Sequence, residues 1–428
     1  MAMVIIRSIS IGIILHLVFL QKREIYATWA WILLLFFLPV AGIFLYFITG
    51  QEVRKGEKEA EKEAVGETTA DNHVELFVHG EEKIKALLKD LSDAKKEILI
   101  QYYIIQKDEI LKLLEECLLK KAAEGVKIKI LYDSLGSRQM KQKDWKKMES
   151  RGIEIKRYRE RKRVPFFFSL NHRNHRKIVV IDEYISYMGG FNLGKEYLGL
   201  DPRFGQWRDT HLRITGSGAM ALRQVFFRDW GKEIIGKKEY YGKAGRGITV
   251  QIVTSGPFSK APHIRNTYLR LIDQAKEKIW IQTPYFIPDS SIMTALRIAL
   301  LSQKEVKIMI PCKPDHLFVY RATLSYVREL EELGAEIYIY DKGFLHAKGM
   351  IMDEMIYCYG SANMDVRSFY LNYEINAIIY EKQKVEEMCH IYREDLRRCR
   401  LLKELEVTSK RPKIRIKEQL CRLLSPLL

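Results

Sequence analysis

The chain has 428 residues, of which 71 are Lys or Arg and 54 are Asp or Glu, giving a formal charge of +17; 47% of its residues are hydrophobic. That is enough apolar material for a large core spread over two to three domains, and the cationic excess points to a polyanionic partner, either nucleic acid or an anionic membrane surface. The six Cys show no CxxC or Cys/His ligand spacing, which leaves no zinc signal and no disulfide framework; free thiols suit a reducing, cytoplasm-facing domain.

Met3 to Leu20 is largely apolar with Arg7 inside it, but only the thirteen residues from Ser8 to Leu20 run uncharged, too few to cross a bilayer alone. Ile25 to Gln51 has no charge in 27 residues and carries Trp29, Trp31 and Tyr46, which predicts a membrane span with aromatic belts that tolerates Pro39. Residues 1–50 therefore read as a transmembrane hairpin whose first helix is truncated or lets Arg7 snorkel. A signal peptide is the alternative for the first segment, but no clean small-residue cleavage site follows it. Residues 51–70 are charged, mixed in sign and poor in apolar residues, and predict a solvated linker or juxtamembrane helix.

A first half is expected over 71–245. Glu81 to Ala94 has helical spacing, Glu97 to Ile105 reads as a strand, Glu109 to Glu124 as a helix and Val126 to Tyr132 as a strand, an alternation that predicts an α/β fold. A second half over 246–400 repeats it, with Ala94–Gln101 matching Ala275–Gln282 and Val126–Ile130 matching Val306–Ile310. Lys232 to Gly247, rich in Gly and Lys, marks the boundary, and helical residues follow Ile378 to about Leu405. Residues 401–428 form a basic, then apolar, tail that docks on the core or on a bilayer.

Each half contains HxKxxxxD: His175, Lys177 and Asp182, then His346, Lys348 and Asp353, every position offset by 171. Gly189, Gly190 and Asn192 follow the first copy, and Gly360, Ser361 and Asn363 follow the second at the same offset. The apolar run in Lys177–Asp182 predicts a buried strand, on which His and Lys two apart would share a face. Two imidazoles and two ammonium groups suit one reaction, phosphoryl transfer on a phosphodiester. One His attacks phosphorus and the other protonates the leaving alkoxide. The lysines neutralise the non-bridging oxygens in place of a metal, and Asn192 and Asn363 donate to the phosphate. Asp182 and Asp353 complete the catalytic motif, although holding their own loop is the simpler role. An imidazole needs an orienting carboxylate. Asp209, 34 residues after His175, and Glu374, 28 residues after His346, are the candidates within each half.

The first half carries about eleven extra residues before His175, among them Lys156 to Arg163 and then Phe166, Phe167 and Phe168. A basic cluster (Arg161, Lys162, Arg163) beside three Phe is expected where a loop meets a membrane. A solvated loop with its rings packed inward, or a nucleic-acid loop, would look similar.

The stretches NHRNHRKIVVIDEYISYMGGFNLGKEYLG, WRDTHLRITG, VQIVTSGP, IWIQTPYFIPD and FLHAKGMIMDEMIYCYGSANMDVRSFYLNYE resemble the phospholipase D superfamily, and with the N-terminal AWILLLFFLPVAGIFLYFITG and the C-terminal RLLSPLL its bacterial cardiolipin synthase branch. The resemblance implies two similar halves, each a mixed sheet flanked by helices, with the active site at their interface behind an N-terminal transmembrane hairpin. It further implies a phosphatidyltransferase that joins two phosphatidylglycerols into cardiolipin and releases glycerol through a phosphohistidine, with the first His favoured as nucleophile by analogy. Expected partners are an anionic phospholipid, phosphatidylglycerol, and the bilayer, with no cofactor, no metal and no nucleic acid. The expected location is the bacterial inner membrane, multi-pass, with the catalytic domain in the cytoplasm. A phosphatidylserine synthase or hydrolytic phospholipase D would share the motifs, since nothing in them reads the acceptor. A membrane-tethered nuclease fits the charge, but nucleases with this motif commonly carry one copy and lack the hairpin. Retention of every motif residue argues against a lipid-binding scaffold without activity.

Overall fold

A computed structural model describes residues 1–20, 25–49, 67–158, 172–231, 247–259, 261–313, 315–406 and 412–423. Arg161, Lys162, Arg163 and Phe166 to Phe168 lie outside the described residues, as do most of the 51–70 linker and nearly all of the Lys232–Gly247 boundary.

The N-terminal segment departs from the expected pair of spans. Helix α1 (Ala2–Leu20) is continuous through Arg7, and its 19 residues are long and apolar enough to cross a bilayer. The uncharged stretch from Ile25 instead breaks at Leu38 into α2 (Ile25–Phe37) and α3 (Pro39–Thr49). Pro39 has no N–H to continue the ladder. Gly42 lets the chain fold back: a Cβ there would sit 3.0 Å from the Leu34 carbonyl oxygen. Trp31 and Tyr46, fifteen residues apart, meet edge to face with ring centroids 5.5 Å apart, which a straight helix would forbid. At about 1.5 Å per residue neither short helix spans a core of about 30 Å. Ile13 and Leu17 of α1 pack with Leu35 and Tyr46 of this hairpin.

The first half begins at β1 (Glu67–Phe77), so 67–70 belong to the sheet and not to the linker: Thr68 and Thr69 pair with Gln251 and Val250. There follow α4 (Gly80–Asp93), β2 (Glu97–Tyr102), α5 (Glu109–Ala123), β3 (Lys127–Tyr132), α6 (Gln142–Glu149) and β4 (Glu154–Arg157). Then come β5 (Arg173–Asn174), β6 (Ile178–Ile181), β7 (Ile185–Gly189), β8 (Trp207–Arg208), β9 (His211–Thr215) and α7 (Ser217–Trp230). The second half runs through β10 (Ile248–Ser255), α8 (His263–Gln274), β11 (Lys278–Gln282), β12 (Phe286–Ile287), α9 (Ser290–Leu301), β13 (Glu305–Pro311), α10 (Leu317–Glu331) and β14 (Glu336–Tyr340). It continues with β15 (Phe344–Leu345), β16 (Gly349–Met352), β17 (Ile356–Gly360), β18 (Met364–Asp365), α11 (Val366–Tyr370), β19 (Asn372–Ile379) and α12 (Lys382–Leu396). A short strand β20 (Cys399–Leu401) interrupts the expected helical run before α13 (Leu402–Glu406) and α14 (Pro412–Leu423).

The two halves have the same strand order. The first reads β4-β3-β2-β6-β7-β9-β1 and the second β14-β13-β11-β16-β17-β19-β10, and antiparallel pairing of β1 with β10 joins them into one sheet. Strands β6 and β16 are buried on both faces, which accounts for their unbroken apolar runs. In β6, Ile178 and Val180 face a central core filled by α7 and α12, while Val179 and Ile181 face the core beneath the outer helices of the first half. The C-terminal tail docks on the protein core: α14 lies against α10, with Arg328 Nε 3.0 Å from the Glu418 carboxylate and Arg422 Nη2 2.7 Å from that of Glu329.

Candidate active site

The HxK residues do not lie within the strands, as the apolar run predicted. His175 and Lys177 precede β6, and His346 and Lys348 precede β16, because the backbone there leaves its own sheet to bridge to the other half. The two-residue strand β5 pairs in parallel with β19, and β15 pairs in parallel with β8. These bridges set the site. His175 N–H donates to the Tyr373 carbonyl (3.0 Å), which brings the next residue, Glu374, to its imidazole: Nδ1 lies 2.9 Å from Oε1 and 3.1 Å from Oε2. His346 N–H donates to the Arg208 carbonyl (2.7 Å), which brings Asp209 Oδ2 to 2.6 Å from Nδ1.

The orienting carboxylates are thus exchanged relative to the within-half expectation. Glu374 of the second half serves His175, and Asp209 of the first serves His346. Spacing along the chain pointed to the nearer carboxylate, but register across the bridges decides which one arrives. Both carboxylates are fully buried and held from behind. Tyr359 Oη and the Thr210 N–H donate to Asp209 Oδ1 (2.7 and 2.8 Å), while Ser361 Oγ and Asn372 Nδ2 donate to Glu374. Burial alone would raise both carboxyl pKa values. The Lys348 charge and the hydrogen bonds from His346 and Tyr359 outweigh it at Asp209, and the Lys177 charge and the hydrogen bonds from His175 and Ser361 at Glu374, so both stay ionised. An ionised carboxylate on Nδ1 holds that nitrogen as the donor and leaves Nε2 as the unprotonated nitrogen of each neutral ring.

Lys177 and Lys348 are fully buried, and each reaches back to the carbonyl of its own His, Lys177 Nζ at 2.8 Å. Lys348 Nζ also lies 2.7 Å from His346 Nδ1. Burial lowers Lys177 to about 7 and Lys348 to about 8. It also lowers both imidazoles, His346 to about 4, with Lys348 adding to the effect, so both are neutral at neutral pH before substrate binds. Each lysine acts on the other half's imidazole, Lys348 on His175 and Lys177 on His346, so the two dyads share one electrostatic site. Such groups desolvated together gain by receiving a phosphodiester anion.

Asp182 and Asp353 stand apart from this cluster, beyond the far ends of β6 and β16. Both sit in the left-handed region, at φ 51° and 50°. Asp182 accepts the backbone N–H groups of Lys95, Lys96 and Glu97 (2.7–3.0 Å), and Asp353 those of Lys276, Glu277 and Lys278 (2.7–2.8 Å). They staple the starts of β2 and β11, which is the loop-holding role that the sequence also allowed. Asn192 is turned to its own loop, accepting from Ile104 N–H (3.3 Å) and donating to Tyr197 Oη (3.0 Å). Asn363 is buried and its Oδ1 has no hydrogen-bond partner. Among the described residues no three His, Cys, Asp or Glu side chains group as a metal site.

Two aromatic neighbours were missed in the sequence. The Tyr103 ring packs against His175 at 4.9 Å between centroids, and Trp207 against His346 at 5.0 Å. Trp207 lay within the WRDTHLRITG stretch, immediately before Arg208 and Asp209. Tyr103 carried no signal beyond the end of an apolar strand.

A two-lobed fold with one imidazole–lysine dyad per lobe, each imidazole braced by the opposite lobe's carboxylate, defines a phosphoryl-transfer enzyme of phospholipase D type. Residues 87–230 and 268–398 match the family described as the PLD-like domain of cardiolipin synthase, and 8–51 match the phospholipase D-nuclease N-terminal family. The chain belongs to the cardiolipin synthase, phospholipase D-like family. It is 41% identical to the major cardiolipin synthase of Bacillus subtilis, over 98% of this chain and 97% of that one. It is 42% identical to a cardiolipin synthase of Listeria welshimeri, over 96% and 95%. Among solved structures it is similar in fold to a phosphatidylserine synthase of Haemophilus influenzae (TM-score 0.66, 15% identity, 88% of this chain and 100% of that one).

Proposed function

We propose that this chain is a membrane-associated cardiolipin synthase that transfers a phosphatidyl group from one phosphatidylglycerol to another and releases glycerol. The observation that carries the reading is the pair of buried His–Lys dyads with exchanged carboxylates, in a chain about 40% identical along nearly its whole length to cardiolipin synthases. His175 Nε2 attacks phosphorus and the bond from phosphorus to the glycerol oxygen breaks; His346, which takes a proton from solvent onto Nε2 when the phosphodiester anion binds beside it, delivers that proton to the glycerol oxygen. The intermediate is phosphatidyl-His175, whose positive imidazole is stabilised by Glu374 at Nδ1. In the second step His346 takes the proton from a hydroxyl of the incoming phosphatidylglycerol, whose oxygen attacks phosphorus and expels His175. Lys177, Lys348 and Asn363 hold the non-bridging oxygens. Asn192, committed to its loop, positions the wall of the site and turns to the phosphate only if that loop moves.

Helix α1 ties the enzyme to the bilayer in which its substrate lies, raising the local substrate concentration. The free thiols among the described residues fit a cytoplasmic catalytic domain. The basic and Phe-rich 156–168 stretch, which precedes His175 in the sequence, supplies a second membrane contact.

The test is incubation of the purified protein with phosphatidylglycerol vesicles, alone and with serine. Cardiolipin with equimolar glycerol supports the reading; phosphatidylserine or phosphatidic acid as the main product overturns it. His175→Ala and His346→Ala should each abolish transfer in folded protein, and the acid-labile phosphatidyl-enzyme should be absent from His175→Ala.

A further inference from the structure

Helix α14 is seated with its polar side inward. Ile416, Leu420 and Leu423 recur at spacings of four and three, which places them in one stripe along the helix. On a surface helix such a stripe ordinarily faces the core. Here it faces out: the three residues are 59%, 55% and 75% exposed. The side turned to α10 holds Glu418 and Arg422, which bind Arg328 and Glu329, and Cys421, which packs with Ala322 and Ile287. The ion pairs fix the rotation of the helix. Turning it to bury the leucines would strip Arg328 from Glu418, a carboxylate only 2% exposed.

The stripe runs toward the edge of the sheet that carries the imidazoles. His346 and Lys348 precede β16, which is antiparallel to β11, so the site lies at the C-terminal end of β11. Strand β13 is parallel to β11, and α10 begins at Leu317, shortly after β13 ends at Pro311, so the N-terminus of α10 lies at that same edge. Helix α14 runs antiparallel to α10: Glu418 meets Arg328, and Cys421, almost one turn on, packs with Ala322. Its Leu423 end therefore points to the site edge, where Leu317 and Phe318 are also exposed. Exposed Lys417 borders the stripe, and exposed Lys313 stands just ahead of α10.

An apolar stripe bordered by cations matches the interface of an anionic bilayer, where apolar side chains enter the acyl boundary and lysines meet lipid phosphates. Helix α1, long and apolar enough to cross a bilayer, brings such a surface within reach. We propose that the outward stripe of α14, with Leu317 and Phe318, docks on the anionic bilayer to which α1 tethers the chain, and holds the site edge of the second half against the lipid surface. The docking stands on its own; its effect on turnover rests on the transferase reading above.

The test uses the full chain reconstituted in vesicles of phosphatidylglycerol and phosphatidylcholine that contain a nitroxide-labelled quencher lipid. A fluorophore on Leu420→Cys is compared with one on Met355→Cys, which is exposed in the turn at the opposite end of β16, with the signal from labelled native thiols subtracted. The label at 420 should be quenched at least about twice as strongly as that at 355, and the difference should shrink in phosphatidylcholine alone. Ile416→Ser combined with Leu420→Ser should lower cardiolipin formation in vesicles about tenfold. Turnover of short-chain phosphatidylglycerol in micelles, which needs no docking, should stay within about twofold and reports folding. Equal quenching at 420 and 355, or a parallel fall in vesicles and micelles, overturns the docking. So does self-quenching at 420 that grows with the protein-to-lipid ratio and replaces quenching by lipid, which would make the stripe a contact between copies of this chain. If the unsubstituted protein forms no cardiolipin, the transferase reading falls and the quenching alone decides the docking.

Discussion

Glu374→Gln is the sharpest probe of the exchanged carboxylates. The substitution keeps the shape and a hydrogen-bond acceptor but removes a buried charge 2.9 Å from His175 Nδ1. At an effective dielectric near 20 that charge stabilises an imidazolium or phosphatidyl-imidazole by about 6 kcal/mol. If between half and nearly all of this is felt in the transition state, at about 1.4 kcal/mol per tenfold, the rate of transfer falls roughly 10²- to 10⁴-fold. The same loss lowers the His175 pKa further, since the carboxylate favours the charged ring. The assay is an NMR titration of histidine-labelled protein, with His175→Gln and His346→Gln assigning the two resonances, run beside the transfer rate. Glu374→Gln should move the His175 resonance and leave that of His346, and Asp209→Asn should do the reverse. A shift of the His346 resonance in Glu374→Gln would mean that each half orients its own imidazole, and the reasoning would fail.

Asp182→Ala and Asp353→Ala should weaken the fold and spare the chemistry. Each removes the acceptor for three backbone N–H groups at a strand start, a cost of about 1–3 kcal/mol after water replaces part of it, so the melting midpoint drops while the turnover of folded protein stays within about threefold. A hundredfold loss of turnover with unchanged melting would return both residues to the catalytic set. The lysines predict the alkaline limb. Lys177 at about 7 and Lys348 at about 8 are cationic below those values and lose their charge as pH rises through them, so kcat/KM, which reports the free enzyme, should fall from about pH 7 and more steeply above about pH 8. The kcat limb should lie higher, because a bound phosphate favours the protonated lysines; a kcat/KM profile flat to pH 9.5 would contradict the buried-cation account.

The sequence failed wherever two segments distant along the chain had to be paired. The N-terminal apolar stretch lacks charge over a bilayer's length, yet Pro39 and Gly42 fold it back so that Trp31 meets Tyr46. Composition measured the length and could not see the turn. Asp182 and Asp353 are spaced like catalytic residues because a strand of fixed length separates them from their lysines, and only the structure shows their carboxylates turned to the amides of β2 and β11. Tyr103 was invisible because it lies far from either motif histidine in the chain.

Repetition did most of what could be done without coordinates. Two copies of HxKxxxxD at one offset, each ahead of an apolar run, determine two like halves and the chemistry of paired imidazoles, because residue type and strand periodicity are local properties. Which carboxylate braces which imidazole was decided by two-residue strands that cross between the halves. That pairing depends on three-dimensional register, and no local pattern in the chain encodes it.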